Sequence, residues 1–178
     1  MAKIKGKFIT LTGSLMSLYP DSRDVADKQL FAKTGKHWNE LDPEGWYDTS
    51  LMDQFMKTYA KASPTGERAI VNLGRQVYPT IKKSSGLPPN LKTPLEFLKF
   101  EADGFMANHN GPDVKPRKFI AAQERNVVVQ APAPGYDSKL FEGVYLGILE
   151  MCGVPSGKVE QTKSQEKGDP TSEFKITW

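Results

Sequence analysis

The side chains of this sequence that most often ligate metals or act as nucleophiles are few, namely His37, His109 and Cys152. A single cysteine cannot form a disulfide within the chain, and thiolate-rich metal sites need two to four cysteines. Cys152 ends an apolar helical stripe, so we expect a buried structural thiol. His109 follows another helical stripe, where an imidazole can bond the last carbonyl groups of a helix. Metal ligation is the alternative role for His109.

The sequence motifs that are typical of catalysis are missing. The chain has no phosphate loop, no HExxH, no CxxC, no calcium-binding EF-hand loop and no GxSxG turn. Each of these motifs positions a nucleophile, a metal or a phosphate at a fixed spacing. No set of acids, bases or nucleophiles converges elsewhere in the pattern. We therefore expect a protein that is not an enzyme.

Composition excludes several further classes of protein. The 178 residues carry 24 basic and 21 acidic side chains, a net charge of +3. The cationic stretches at 3–7, 82–83 and 115–118 are short and scattered, so they predict solvated surface and no nucleic-acid partner. No run of about 18 apolar residues predicts membrane insertion. The N-terminal residues lack the apolar core of a signal peptide, which leads us to expect a cytoplasmic location.

Apolar periodicity predicts helices through the first two thirds of the chain. Residues recur three or four apart over 7–19, 22–34, 49–62 and 66–83. In the second of these segments Val25, Leu30 and Phe31 are expected to face inward, and Gly35 to end the helix. Thr93-Pro94-Leu95-Glu96 predicts the start of a further helix through a capping box, and Asn108 to Pro112 predicts its end.

The pattern after Pro116 predicts strands. The segments 118–123 and 126–130 are predicted to form a hairpin, and 158–165 with 172–178 a second one. Between them, 138–152 is predicted to be a helix in which Gly143 and Gly147 allow close approach of another element. The fold class is therefore α+β, with an N-terminal helical half and a C-terminal antiparallel sheet of the order strand–strand–helix–strand–strand. We expect a single domain over 1–178, helical to about 112 and mixed from about 113.

Several segments together resemble one known family. They are Ile4-Lys5-Gly6-Lys7-Phe8-Ile9, Gly45-Trp46-Tyr47, Leu73-Gly74-Arg75-Gln76 and Tyr136-Asp137-Ser138-Lys139-Leu140. In this order they resemble the H-NOX (heme nitric oxide/oxygen-binding) proteins, above all heme-free, sensor-like bacterial relatives of deltaproteobacterial type. The 4-vinyl reductase and TRAPP-component domains are more distant relatives. The resemblance implies an H-NOX-like fold over nearly the whole chain.

The departures from the family pattern bear on the cofactor. The resemblance implies that a Tyr-x-Ser-x-Arg signature holds the heme propionates and that a helix histidine binds iron. Tyr136 and Ser138 match the signature, but Leu140 stands at the arginine position, so the bidentate carboxylate clamp is lost. The axial histidine would fall near Asp103 or Gly104, and His109 comes five or six residues later. We therefore expect no heme, with His109 as the ligand only if heme is bound.

These observations lead to a functional hypothesis with two alternatives. We expect a stand-alone sensory or regulatory domain that binds a small apolar ligand or a protein partner of a signalling pathway. The alternatives are a heme-based gas sensor and a pure protein-interaction module that forms a homodimer. The residues expected to line a ligand pocket are Leu98, Phe105, Tyr136, Ser138, Tyr145, Leu149 and Cys152.

Overall fold

The computed structural model describes residues 1–84 and 86–178. In this part of the chain the helices are α1 (Gly6–Leu15), α2 (Pro20–Thr34), α3 (Thr49–Ala62), α4 (Arg68–Lys83), α5 (Pro94–Asn108) and α6 (Lys139–Met151). The strands are β1 (Lys3–Lys5), β2 (Trp46–Asp48), β3 (His109–Asn110), β4 (Lys118–Gln123), β5 (Asn126–Gln130), β6 (Lys158–Lys163) and β7 (Glu173–Thr177). No helix among these is long and apolar enough to cross a membrane.

The helix boundaries follow local capping chemistry. The capping box at the start of α5 is confirmed, since the Thr93 hydroxyl accepts from the Glu96 amide at 3.3 Å and the Glu96 carboxylate accepts from the Thr93 amide at 2.8 Å. The end of α2 at Gly35 is also confirmed, because this glycine adopts a φ of +69° and its amide bonds Phe31 O. Strong caps are thus placed where the sequence predicted them.

The buried face of α2 differs from the expectation. Val25 and Phe31 are exposed, with 48% and 43% of their surface accessible, and only Leu30 of the three points inward. The buried stripe consists of Ser22, Ala26 and Leu30, which are spaced by four residues and pack towards α3. Small side chains on this stripe let the two helices approach, so the larger apolar residues beside it remain at the surface.

The larger sheet confirms the two predicted hairpins. Its strand order is β4-β5-β7-β6, and all neighbours are antiparallel. Phe174 and Ile176 point to the buried face, and Phe174 meets Tyr145 of α6 edge-on at 5.5 Å between ring centroids. Both outer strands carry a register shift, between Phe119 and Ala121 in β4 and between Gln161 and Lys163 in β6.

A second, smaller sheet was not predicted. It has the order β2-β1-β3, and its strands contain only two or three residues each. Such strands are too short to show an alternating pattern in the sequence. In this sheet Ile4 pairs with His109, so β1 fixes the residue that directly follows α5.

Helices α4 and α6 pack almost backbone to backbone. A Cβ atom added to Gly143 would collide with Val71 O, one on Gly147 with Arg75 O, and one on Gly74 with Leu140 O. This contact confirms that Gly143 and Gly147 allow the close approach of another element. It brings the N-terminal half of α6 next to the helical half of the chain, beside the cavity described below.

Candidate ligand-binding site

An apolar cavity of about 370 Å³ lies between α1, α3, α4, α5 and α6. Cavities of this size are in the range that accepts small ligands. Most of its wall comes from the inward stripes of these helices and from the loop before α5. The apolar lining residues are Ile4, Phe8, Leu11, Met52, Val77, Ile81, Leu87, Phe100, Phe105, Leu140, Phe141 and Val144.

A few polar side chains also line this cavity. Lys7 is exposed and marks its rim, whereas Tyr78, Glu101, His109 and Tyr136 are buried. Burial raises the pKa of Tyr78 and of Tyr136 above the usual value, so both phenols stay protonated. The cavity therefore offers hydroxyl, imidazole and carboxylate groups against an apolar background.

His109 is held from both sides of its ring. Its Nδ1 lies 2.9 Å from Phe105 O, one helical turn earlier, and its Nε2 lies 3.1 Å from the Tyr136 hydroxyl. The expectation that this imidazole bonds a carbonyl at the helix end is confirmed. Burial lowers the pKa of His109 from 6.5 to about 4. The hydrogen bond to Phe105 O opposes this shift in part, and the nearby Arg117 guanidinium lowers the pKa by less than that bond raises it. His109 is therefore neutral near pH 7.

A buried ion pair lies at the wall of the cavity. Arg117 Nη2 donates to Glu101 Oε1 at 2.9 Å, and Arg117 Nη1 donates to Pro132 O at 3.3 Å. The guanidinium carbon lies 3.7 Å from the ring centroid of Phe105 and 4.1 Å from that of Phe141. Burial by itself lowers the pKa of Arg117, but the Glu101 carboxylate raises it above the usual value, so the charge persists. The expectation that 115–118 is solvated surface is wrong for Arg117.

The start of α6 is occupied by a carboxylate of the chain itself. Glu166 accepts from both the amide and the hydroxyl of Ser138 at 2.8 Å, and from the Ser164 hydroxyl at 2.8 Å. Burial raises the pKa of Glu166, but these hydrogen bonds outweigh it and hold the pKa below its usual value. Ser138 does not cap α6 with its own side chain. Glu166 therefore occupies the donors of Ser138.

The predicted pocket residues fall into two groups in the structure. Phe105 and Tyr136 line the cavity, and their aromatic rings contact His109 and Phe141. The others lie elsewhere: Leu98, Ser138, Tyr145 and Leu149 are buried in the surrounding core, and Cys152 is half-buried at the end of α6. Burial raises the pKa of the Cys152 thiol.

Sequence reasoning missed Glu101 and Arg117, although one signal was present. Phe97, Glu101 and Phe105 follow one another at a spacing of four residues, so the carboxylate falls on the inward stripe of α5. A charged residue on such a stripe needs a buried cation. The cation comes from Arg117, which no periodic pattern assigns to the interior.

Other concave surfaces offer less chemistry. A groove of about 760 Å³ runs along the surface between Ala2, Ser50 and the 132–135 loop, and five prolines line it. Its polar groups are spread along an open surface instead of converging. In residues 1–84 and 86–178 no three His, Cys, Asp or Glu side chains are grouped so that they could hold a metal ion.

Comparison with known proteins identifies the fold. No family model and no curated protein matches the sequence. Solved structures do match. A structure from work on the function of heme distortion in the H-NOX family has a TM-score of 0.69 and 16% sequence identity, and the match covers 98% of this chain and 95% of that chain. The Fe(II) unliganded H-NOX protein from K. algicida has a TM-score of 0.63 and 16% identity, with coverages of 98% and 96%.

A third match, the H-NOX protein from S. oneidensis in the Fe(II)NO ligation state, has a TM-score of 0.66 and 11% identity, with coverages of 97% and 98%. At these identities the similarity establishes the fold and not the activity. The chain thus has an α+β, H-NOX-like fold, as the sequence resemblance predicted.

Proposed function

We propose that this H-NOX-like chain is a sensory or regulatory domain that binds a small, mainly apolar ligand in the apolar cavity between its helices and works without heme. The observation that carries the proposal is the cavity of about 370 Å³ lined by apolar side chains of five helices. Concave sites of this size with a mainly apolar lining and a few polar groups are typical of small-molecule binding. A cavity that interrupts the contact between helices is a natural place for a ligand to act on their arrangement.

The residues around the cavity do not fit a heme. The neighbours named above are heme proteins by description, but here the three groups best suited to hold the iron or the propionates are bonded within the chain. Nε2 of His109 lies beside the Tyr136 hydroxyl, Arg117 is paired with Glu101, and Ser138 donates to Glu166. Leu140 at the remaining signature position offers no cation. These contacts support a heme-free function.

The proposed mechanism is a shift in population. A ligand changes a conformational equilibrium only through a difference in its affinity for the two arrangements. The cavity has walls from α1, α3 and α5 and from α4 and α6, which pack backbone to backbone as one unit. A ligand that fills it stabilises the arrangement in which all these walls contact its surface. The signal is thus the position of α1, α3 and α5 relative to the α4–α6 pair.

Filling the cavity tests the proposal. Gly104 lines the cavity, and a Cβ atom added there would meet no atom within 4 Å. We expect naphthalene to raise the melting temperature of the natural protein through binding to the folded state. Gly104→Leu should reduce naphthalene affinity at least tenfold, while the free energy of unfolding rises or stays equal because leucine favours helix over glycine.

The matched control is Ala107→Leu, which enlarges an exposed position of the same helix. This variant should bind naphthalene like the natural protein. Absence of naphthalene binding, or equal binding by Gly104→Leu, would contradict the proposal. In a separate experiment, hemin is added to the natural protein during expression and again after purification. No Soret band is expected, and a Soret band that disappears in His109→Phe would establish the heme alternative instead.

A further inference from the structure

The hydrogen bonds of His109 fix the direction in which the Tyr136 hydroxyl points. Phe105 O can only accept, so Nδ1 of His109 must carry the proton across the 2.9 Å contact. The imidazole is neutral near pH 7, because burial lowers its pKa to about 4. Nε2 therefore has a lone pair and accepts the Tyr136 proton across 3.1 Å. The reverse tautomer would place two acceptors against each other at Phe105.

Tyr136 has thereby used its only hydrogen-bond donor, and its oxygen retains acceptor capacity. We infer that the ligand of the cavity is a small neutral molecule with an apolar body and one O–H or N–H group that donates to Tyr136 Oη. This inference rests on the proposed function of the cavity. Tyr136 is the recognising residue, and His109 is a positioning residue that makes Tyr136 an acceptor.

The buried charged groups of the cavity support a neutral ligand. The Glu101 carboxylate faces the cavity, and its charge is balanced by Arg117 outside the lining. An anionic ligand would meet this carboxylate and the acceptor oxygen of Tyr136 together. A donor at Tyr136 instead extends the chain from Phe105 O through His109, and each bond polarises the next. Alcohols, phenols and indoles belong to the preferred class.

Three probes of similar size separate the possibilities in the natural protein. β-Naphthol has a donor, β-naphthyl methyl ether has an acceptor only, and β-methylnaphthalene has neither. We expect β-naphthol to bind about fivefold to tenfold more tightly than the other two, as one net hydrogen bond allows. Equal affinities for all three would overturn this inference and leave the proposed function intact. Absence of binding by any probe would overturn both.

Removal of His109 should release the constraint on Tyr136. In His109→Phe the Tyr136 hydroxyl is free to rotate and donate, so the methyl ether should bind within about threefold of β-naphthol. Tyr78 is another phenol that lines the cavity, so Tyr78→Phe tests the competing assignment, and a preference for β-naphthol that disappears in this variant would overturn the assignment to Tyr136. The matched control is Tyr59→Phe, which removes a hydroxyl outside the lining and should keep the preference.

A second measurement does not depend on any variant. Nitrogen NMR of the histidine side chains in the natural protein distinguishes the two neutral tautomers. The structure requires the tautomer protonated at Nδ1 for His109. An imidazole protonated at Nε2 would make Tyr136 an acceptor from His109, leave its own proton free to donate, and overturn the inference.

Discussion

His109 lies between the ring of Phe105, 4.1 Å away between centroids, and the Tyr136 hydroxyl. This environment removes water from the imidazole and lowers its pKa to about 4 from 6.5. Between these two pKa values the imidazole is protonated in the unfolded chain and neutral in the folded protein. His109 therefore makes the free energy of unfolding depend on pH, whether or not a ligand is bound.

The free energy of unfolding should fall as the pH decreases from 6.5 to about 4. The unfolded chain binds more protons than the folded protein in this window, and below it the loss is complete. The loss due to His109 amounts to about 3 kcal/mol. Urea unfolding of the natural protein and of His109→Phe across the window measures it, since subtracting the two curves removes the titration of the carboxylates. A difference that does not change with pH would contradict the burial of a neutral His109.

For individual residues, the sequence predicted only the contacts that depend on spacing within one helix. The position of His109 at a helix end followed from the apolar stripe before it, and its bond to Phe105 O is a contact within one turn. Its second partner, Tyr136, is 27 residues away and depends on the tertiary fold. Arg117 was assigned to the surface because its neighbours are lysines, yet its side chain is entirely buried.

At the scale of elements, the contact between α4 and α6 has the least tolerance. The Cα of Gly143 lies so close to α4 that an added Cβ would meet the Arg75 amide nitrogen at 2.8 Å as well as Val71 O. These are backbone atoms, which cannot rotate away as a side chain can. The contact depends on the absence of a side chain on both helices.

Gly143→Ala should lower the free energy of unfolding by about 2 kcal/mol or more, although alanine favours helix. The matched control is Gly104→Ala on α5, where a Cβ meets no atom within 4 Å. That change should raise the free energy of unfolding by roughly 0.5–1 kcal/mol. Chemical denaturation of the two variants gives both values, and a stabilising Gly143→Ala would show that the helices can separate at no cost.

Element positions were predictable where the pattern extends over several residues. The bounds predicted for α3, β4 and β5 agree with the structure because each has a full stripe or alternation. β1, β2 and β3 are too short for either. Their existence depends on pairing between residues far apart in the chain, such as Ile4 with His109, which no local pattern encodes.

At the scale of the whole molecule, Arg117 and Glu101 connect the two parts of the chain. Glu101 belongs to α5, whereas Arg117 leads into β4, bonds Pro132 O and lies against Phe141 of α6. Breaking a buried ion pair by removing one partner leaves an unpaired charge in the interior. The pair therefore holds the helical part and the sheet part together only while both members are present.

Arg117→Met should lower the free energy of unfolding by about 3–5 kcal/mol, because it leaves the Glu101 carboxylate without its cation. The double variant Glu101→Met with Arg117→Met should recover most of this loss, since no isolated charge remains. Urea unfolding of the natural protein, the two single variants and the double variant closes the cycle. Losses that simply add would contradict a direct coupling between the two side chains.

The register shifts in β4 and β6 have a consequence for self-association. These two strands are the outermost ones of the four-stranded sheet, and each is interrupted in its ladder. A strand with a bulge twists away and presents its amides irregularly, which prevents another copy from continuing the sheet. Filament growth by addition of strands to this sheet is thereby disfavoured at both of its margins.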